Sequence, residues 1–251
     1  MTQVITVANQ KGGTGKTTSA VNLLAAATFK KKRALLIDLD AQGNASYITG
    51  TDPAHGSIYD LLIKGIPAED LIQHTPQGDV IASNADLVKV DIELKGKPEE
   101  RVQALKTALQ PILKNYDIVI VDTSPSLNLL LLAALTVSDK VIIPLYADIL
   151  SLQGLYQLIN TIKDVQTKYN SGLNLTGVFF NKYSIRTILA RDVTEAITDE
   201  CKEMNVPILR TKIREAVAVR EAQTVKESIY TYAPKSKPAR DYIELMEEIT
   251  K

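Results

Sequence analysis

The sequence predicts an α/β protein with a doubly wound, mostly parallel sheet and helices on both faces. Short runs of β-branched and aliphatic residues alternate with longer segments of helical periodicity along the 251 residues. These runs are apolar on both faces, as expected of strands that are covered by helices on each side. A glycine-rich turn also follows the first run and opens the first helical segment, at the edge of the sheet where such folds bind their ligands.

The elements are predicted in the order of the chain. The predicted strands are Val4–Ala8, Ala34–Asp38, Asp117–Asp122, Lys140–Leu145, Leu175–Asn181 and Val206–Leu209, with Val80–Ala82 as a weaker one. The predicted helices are Lys16–Lys31, Pro98–Leu113, Leu127–Ala134, Ser151–Tyr169, Thr187–Met204 and Ala239–Ile249. No linker rich in proline, glycine or serine interrupts them, so we expect residues 1–251 to form a single domain. Because the turn begins near residue 10, we expect no helix-turn-helix domain before it.

The composition excludes several classes of protein. Hydrophobic residues make up 45% and charged residues 23%, a balance that is ordinary for a globular protein. Lys and Arg number 29, as do Asp and Glu, so the total charge indicates no polyanionic partner. The single cysteine, Cys201, fits a reducing cytoplasm, and the two histidines lack metal-ligand spacing. The longest apolar run, Leu129 to Leu135, is far shorter than the ~20 residues of a membrane span.

The glycine-rich turn, QKGGTGKTT over residues 10–18, has the residue types of a phosphate loop, so we expect a fold of the P-loop NTPase type. Glycines let main-chain N–H groups surround phosphate oxygens, and the following helix directs its positive end at them. Lys16 can then reach the β- and γ-phosphates, and the Thr17 hydroxyl can ligate Mg²⁺. Gln10 stands where the usual pattern has its first glycine, so a turn that binds no nucleotide is the alternative. The predicted nucleotide-binding residues are Lys11, Gly12, Gly13, Thr14, Gly15, Lys16, Thr17 and Thr18.

Carboxylates end two of the predicted strands at the edge where phosphates are expected. Asp38 and Asp40 leave the second strand, and Asp122 closes the central one. Carboxylates in this place can hold Mg²⁺ through water or orient an attacking water molecule. Asp122 could instead cap the following helix.

Residues 11–17 resemble the deviant Walker A loop, K-G-G-x-G-K-[ST], of the ParA/MinD/nitrogenase iron protein superfamily. The resemblance implies ATP and Mg²⁺ as cofactors, with Lys11, Lys16 and Asp40 as catalytic residues. Lys11 would reach across a dimer interface to the nucleotide of the partner, and Asp40 would position the hydrolytic water. At the metal site, Thr17 would ligate Mg²⁺, Asp122 would bind its water shell, and Asp38 would make a supporting contact. Residues 38–44 resemble the family's D-x-D-P-Q-G-N switch but have Ala41 in place of the proline. The stretch that begins at Asp122 resembles the family's Walker B pattern D-x-P-P-S but has Ser124 in place of the first proline.

Two further features of the sequence indicate where a purine base and a polyanion such as DNA could bind. Asn181 ends a predicted strand, where its amide can read a purine edge or cap the next helix. Residues 205–240 contain eight Lys or Arg against three Glu, a basic stretch that could bind DNA phosphates or form an ordinary charged helix face. By resemblance to ParA proteins, this region forms a nonspecific DNA surface. Arg186 and Arg214 occupy matching positions, with Arg210, Lys212 and Arg220 as weaker candidates.

Within the superfamily, the sequence fits a ParA-type partition ATPase. One cysteine cannot supply the cluster ligands of a nitrogenase-type reductase, and the acidic C-terminal stretch disfavours the lipid-binding helix of a MinD-type protein. The resemblance implies an ATP-dependent homodimer that binds nonspecific DNA, a ParB-type centromere-binding partner, no membrane contact and a cytoplasmic, nucleoid-associated location. A MinD-like positioning ATPase, a scaffold that binds ATP without hydrolysis and a metabolic ATPase or ligase are the alternatives.

Overall fold

Seven strands form one sheet in the computed structural model, which describes residues 2–148, 151–184 and 188–251. They are β1 (Gln3–Val7), β2 (Ala34–Leu39), β3 (Ile72–Thr75), β4 (Gly78–Ile81), β5 (Ile118–Thr123), β6 (Lys140–Leu145) and β7 (Asn174–Phe180). The strand order is β3-β4-β2-β5-β1-β6-β7. Every neighbouring pair is parallel except β3 and β4, which form an antiparallel pair at one edge.

Helices connect the strands and cover the sheet. They are α1 (Lys16–Phe29), α2 (Asn44–Thr49), α3 (Val90–Glu93), α4 (Pro98–Leu113), α5 (Leu129–Val137), α6 (Ser151–Lys168), α7 (Ile188–Glu203), α8 (Val217–Thr224), α9 (Ile229–Tyr232) and α10 (Lys237–Ile249). Short 3₁₀ turns occur at Pro53–His55, Ala68–Leu71 and Ala85–Lys89, and a single π-helical turn at Asp60–Lys64. None of the described helices is long and apolar enough to cross a membrane.

The core lies on both faces of the sheet because consecutive strand residues point to opposite sides. In β2, Leu36 packs with α1 and α10 on one face, whereas Leu35 and Ile37 pack with α4 and α5 on the other. A third cluster joins β6 and β7 to α6 and α7 and contains Cys201, whose side chain is fully buried. Burial raises the pKa of the Cys201 thiol to about 11. The predicted fold class, with helices on both faces of a mostly parallel sheet, is therefore confirmed.

The predicted strand Val206–Leu209 is wrong. Only one isolated bridge, Val178 with Ile208, links this segment to β7. Pro207 has no N–H to give to a ladder, and its carbonyl accepts from the Val178 N–H at 2.9 Å. The other predicted strands and helices are present, with ends shifted by up to about three residues. Strand β3 and the short helices α2, α3, α8 and α9 were not predicted.

Candidate nucleotide-binding site

The phosphate loop connects β1 to α1 at the carboxyl edge of the sheet. Gly13 and Gly15 have φ angles of 76° and 88°, a left-handed conformation that favours glycine. A Cβ atom on Gly15 would lie 2.1 Å from Nδ2 of Asn181, so neither the backbone angle nor the space admits a side chain. Gly15 caps the N-terminus of α1, and the loop therefore presents main-chain amides where phosphates are expected.

Two lysines of the loop have different surroundings. Lys16 is 7% exposed, and its Nζ donates to the Lys11 carbonyl at 3.4 Å. Burial lowers the pKa of Lys16, while the charges of Asp122 and Asp40 act to raise it. The Nζ of Lys11 forms an ion pair with Asp148 at 2.7 Å. The ammonium of Lys16 thus bonds within the phosphate loop, whereas that of Lys11 pairs with Asp148 outside the loop.

Asp38 and Asp122 lie side by side, because β2 and β5 place them in register. Both are fully buried. Asp38 accepts from the Ser46 N–H at 2.9 Å, the Ser46 hydroxyl at 2.7 Å and the Asp40 N–H at 3.1 Å. Asp38 therefore uses both of its oxygens within the protein and ties the start of α2 to the end of β2.

Asp122 differs because neither of its buried oxygens has a well-formed hydrogen bond within the described part of the chain. Burial raises the pKa of Asp122 well above its usual range, and the Asp38 charge adds to the rise. The Thr17 hydroxyl and the Lys16 charge act in the opposite direction. A buried carboxylate without partners is unfavourable unless a cation or a proton compensates it.

These residues fit Mg²⁺. Asp122 offers two buried oxygens without a well-formed hydrogen bond, and Thr17, the second residue of α1, lies beside it with a hydroxyl that Mg²⁺ accepts as a ligand. No group of three or more His, Cys, Asp or Glu side chains able to hold a metal occurs among the residues described. Water and phosphate oxygens would supply the other ligands, as is usual for Mg²⁺. Asp122 lies within β5, and Asn128 caps the next helix, α5, so the alternative role of Asp122 as a cap is wrong.

A cavity of about 620 Å³ opens over the phosphate loop. Gly12, Gly13, Gly15, Lys16, Thr17 and Thr18 line one side of it, and Asp40 to Gln42 and Ser124 to Ser126 line the others. Asp40 is half-buried there, and its Oδ1 accepts from the Gln42 N–H at 3.0 Å. Six of the eight predicted loop residues and the predicted water-positioning carboxylate of Asp40 thus face one space, whereas Lys11 and Thr14 do not line it.

A second cavity, of about 260 Å³, adjoins the first and could accommodate a base. Asn181 lines it, but its Nδ2 donates to the Thr14 carbonyl at 2.9 Å and its Oδ1 accepts from the Lys182 N–H at 2.9 Å. Helix α7 begins seven residues later, too far along for Asn181 to cap it. In this structure the amide of Asn181 binds the phosphate loop.

The predicted basic residues are not equivalent. Arg214 holds the buried carboxylate of Asp241 through two guanidinium nitrogens, and this pairing raises the pKa of Arg214. The main-chain N–H of Arg210 donates to Glu248, and Nε of Arg210 lies 3.6 Å from the same carboxylate. Lys212 and Arg220 complete the described set, and Arg186 lies outside the described residues.

Lys212 and Arg220 have contrasting environments. The Nζ of Lys212 lies 4.3 Å from the centre of the Tyr183 ring and donates to the Tyr183 hydroxyl at 3.2 Å. Arg220 is exposed on α8 and lines the second cavity. On the same helix, Nε2 of Gln223 donates to the Thr18 hydroxyl at 3.2 Å, which links α8 to the phosphate loop.

Sequence reasoning missed several residues that shape the site. Asp148, Lys182 and Gln223 lie far from the loop along the chain, and no local pattern marks their contacts with it. Ser46 could have been predicted, because it follows Asp38 and Asp40 closely in the sequence and a short polar side chain there can bind a carboxylate.

The chain is similar to known proteins over nearly its whole length. A family model described as an AAA domain matches residues 2–175. The sporulation initiation inhibitor protein Soj of Bacillus subtilis is 38% identical over 253 residues, covering 99% of this chain and 98% of Soj. The chromosome partitioning protein ParA of Myxococcus xanthus is 34% identical, covering 99% of this chain and 88% of that protein.

Solved structures show the same fold with nucleotide and metal bound. Cobyrinic acid a,c-diamide synthase from Mycobacterium smegmatis, with ADP and magnesium, has a TM-score of 0.86 and 32% identity, covering 100% of this chain and 94% of that one. The septum site-determining protein MinD from Pyrococcus horikoshii, with Mg-ADP, has a TM-score of 0.78 and 26% identity, covering 100% and 97%. From its glycine-rich loop, its buried carboxylates and these similarities, the chain belongs to the Soj/ParA family of P-loop ATPases, with ATP and Mg²⁺ as its cofactors.

Proposed function

We propose that this ATPase is a dimerising switch that binds nonspecific DNA in its ATP state and partitions a plasmid or chromosome. The observation that carries the proposal is the similarity of the whole chain to Soj and ParA proteins, at 34% to 38% identity. A ParB-type centromere-binding protein is the expected partner and stimulator of hydrolysis. The expected location is the cytoplasm, on the nucleoid.

Hydrolysis would use groups that line the larger cavity, together with the buried Asp122. Main-chain amides of the phosphate loop and Lys16 would bind the phosphates, and Thr17 and Asp122 would hold Mg²⁺. The bound ion would supply positive charge against the β- and γ-phosphates. Asp40, half-buried at the cavity wall, would orient the attacking water.

The position of Lys11 supports action on a second copy of the chain. Its ammonium pairs with Asp148 beside the cavity, while Lys16 would contact the nucleotide bound by its own chain. In a face-to-face dimer, Lys11 could leave Asp148 and approach the γ-phosphate of the partner. A charge delivered there would stabilise the transition state and would couple hydrolysis to the dimer.

For DNA binding, Arg220 is the strongest of the four candidates that the structure describes. The guanidinium of Arg214 already holds Asp241, and Lys212 lies against Tyr183. Arg220 is exposed, and its helix is tied to Thr18 through Gln223, so nucleotide binding could change the position of this charge. Arg210 is exposed as well but shares its surroundings with Glu248.

A MinD-like role is the second candidate, favoured by the structural similarity to MinD. Such a role would require an amphipathic helix free to enter lipid. The apolar residues of α10, Tyr242, Leu245, Met246 and Ile249, are instead buried in the core with α1. Glu244 and Glu247 are exposed on the same helix and would be repelled by anionic lipid.

A third candidate, an ATP-dependent synthase, is favoured by the 32% identity to the Mycobacterium smegmatis structure. It predicts turnover that depends on an organic substrate and is indifferent to DNA. The partition proposal predicts the reverse dependence.

Retention of DNA by the full chain with Mg·ATP, with Mg·ADP and without nucleotide tests the proposal. We expect retention with ATP alone, and none in Lys16→Ala. Arg220→Ala should lower affinity and reduce the slope of log K against log salt by about one. Lys114→Ala removes an exposed charge at the end of α4, on the opposite face, and serves as the matched control. Equal retention in all three nucleotide states, or none in any, would refute a DNA-binding switch.

A further inference from the structure

The two cavities of the nucleotide site adjoin each other, and the passage between them is lined by residues that they share. Thr18 and Lys182 line both of them. A nucleotide with its phosphates on the glycine-rich loop and its base in the smaller cavity would pass between these two side chains. Thr18 belongs to the loop motif, whereas Lys182 follows β7 and belongs to no motif of the sequence.

Lys182 has an unusual backbone conformation. Its φ angle is 50°, in the left-handed region that residues other than glycine seldom adopt. The Lys182 N–H donates to Oδ1 of Asn181, whose Nδ2 donates to the Thr14 carbonyl. Such a conformation persists where surrounding contacts enforce it, and it is common at ligand sites.

The side chain of Lys182 extends back to the phosphate loop. Its Nζ donates to the Gly13 carbonyl at 3.2 Å, next to the Thr14 carbonyl that Asn181 binds. Two consecutive carbonyls of the loop are thus held by two consecutive residues after β7. A carbonyl that is bonded to an ammonium stays turned away from a phosphate, which leaves the loop amides free for the anion.

We propose that Lys182 is a positioning residue for ATP: its ammonium holds the phosphate loop open through Gly13, and its hydrocarbon stem walls the passage to the base. The ammonium acts on every ligand that carries the phosphates. The stem acts on ligands that also carry a sugar and a base. This inference concerns nucleotide binding and is independent of the DNA-binding proposal.

The two parts of the side chain can be separated by substitution. Lys182→Met keeps an unbranched stem and removes the ammonium, Lys182→Ala removes both, and Lys182→Arg keeps a donor for the Gly13 carbonyl. Lys31→Met is the matched control, because Lys31 is an exposed lysine with a φ of 59° at the far end of α1. Calorimetry would measure Mg·ATP and Mg·ADP binding, with inorganic tripolyphosphate as a competitor that lacks sugar and base.

We expect Lys182→Met to weaken all three ligands by a similar factor of about five, as for loss of one charged hydrogen bond in a partly exposed place. Lys182→Ala should weaken tripolyphosphate no further but should weaken ATP and ADP by about another threefold, as for a lost apolar contact. Lys182→Arg should stay within about twofold of the wild type. In turnover, Lys182→Met should raise KM with kcat retained, because uniform binding is lost.

Three results would overturn the inference. Wild-type affinity for all ligands in Lys182→Met would remove the role of the ammonium, and equal losses in Met and Ala would remove that of the stem. A loss that grows from ADP to ATP would make Lys182 a direct phosphate ligand instead. Melting temperatures without nucleotide show whether each variant folds, and the Met and Arg pair suffices if the Ala variant does not.

Discussion

Replacing Asp122 by Asn should stabilise the protein without ligand and abolish its response to Mg·ATP. Asp122 is a fully buried carboxylate whose oxygens have no well-formed hydrogen bond among the described residues. Its raised pKa means that the folded state holds a proton more tightly than the unfolded state. Stability therefore falls as pH rises from the ordinary Asp pKa of 3.8 through the raised value, and the full cost is present above it.

The magnitude follows from the surroundings of the carboxylate. Burying a polar group without partners costs about 1–3 kcal/mol in proteins, and more for a charge. Lys16 offsets part of this cost, and it would lose that compensation in the variant. We therefore expect a net stabilisation of about 1–2 kcal/mol at pH 8, equivalent to roughly 2–8 °C in melting temperature. As pH is lowered, the advantage of the Asp122→Asn variant should shrink, because the native Asp122 then takes up its proton.

Asp38→Asn is the matched control, because the two carboxylates are in register on adjacent strands. Asp38 accepts three hydrogen bonds, and an amide in its place would direct an N–H₂ group at one of the donors. We expect a loss of about 1–2 kcal/mol, opposite in sign to the effect at Asp122.

Thermal melts from pH 5 to 8, with and without Mg·ATP, provide the assay. The wild type should gain stability from Mg·ATP, and Asp122→Asn should gain little, since it lacks the carboxylate that is proposed to hold Mg²⁺. The reasoning is refuted if Asp122→Asn melts below the wild type at pH 8, or if its stabilisation by Mg·ATP is undiminished.

Three further changes have defined outcomes. Gly15→Ala should abolish ATP binding and lower the melting temperature, because Gly15 has a φ of 88° and an added Cβ would meet Asn181. Gly12→Ala should leave the fold intact, because no atom lies within 4 Å of the added Cβ. Calorimetry measures the ATP affinity of both variants, and thermal melts measure their stability. Arg214→Ala should cost about 2 kcal/mol, because the buried carboxylate of Asp241 loses its counter-charge and keeps only the main-chain N–H of residue 214. The double variant with Asp241→Ala should recover much of that loss; if it recovers none in urea unfolding, the pair does not explain the effect. Asp148→Asn removes the ion pair between Lys11 and Asp148 and, if Lys11 acts on a second copy of the chain as proposed above, should raise ATP-dependent dimerisation about threefold, as for loss of one partly exposed ion pair. Unchanged dimerisation in analytical ultracentrifugation would contradict this expectation.

Most of the sheet could be predicted because a buried parallel strand is recognisable from its own short run of apolar residues. Ala34–Leu39 and Lys140–Leu145 are short, apolar and followed by polar residues, so each could be read without its neighbours. The same holds for the phosphate loop, whose glycines and lysines are contiguous. Strand β3 was missed because its residues are only half-buried at an edge, where the apolar pattern is weak.

The parts that could not be predicted depend on contacts between distant segments. Whether Arg214 is free for a ligand depends on Asp241, which lies 27 residues later on another element. Asn181 could be placed at the site from its position after a strand, but its bond to the Thr14 carbonyl required the structure. Local chemistry thus predicts which groups are present, and tertiary contacts determine which of them are available.

The buried position of Cys201 has a practical consequence for observing this ATPase. Its thiol is fully enclosed between helices and has a pKa of about 11, so at neutral pH it is shielded from maleimide reagents. Because the sequence contains no other cysteine, one introduced on the surface would be the single reactive thiol of the molecule. A fluorophore attached there, for example at the exposed Lys114, would report assembly and exchange in single-molecule experiments without removal of the native residue.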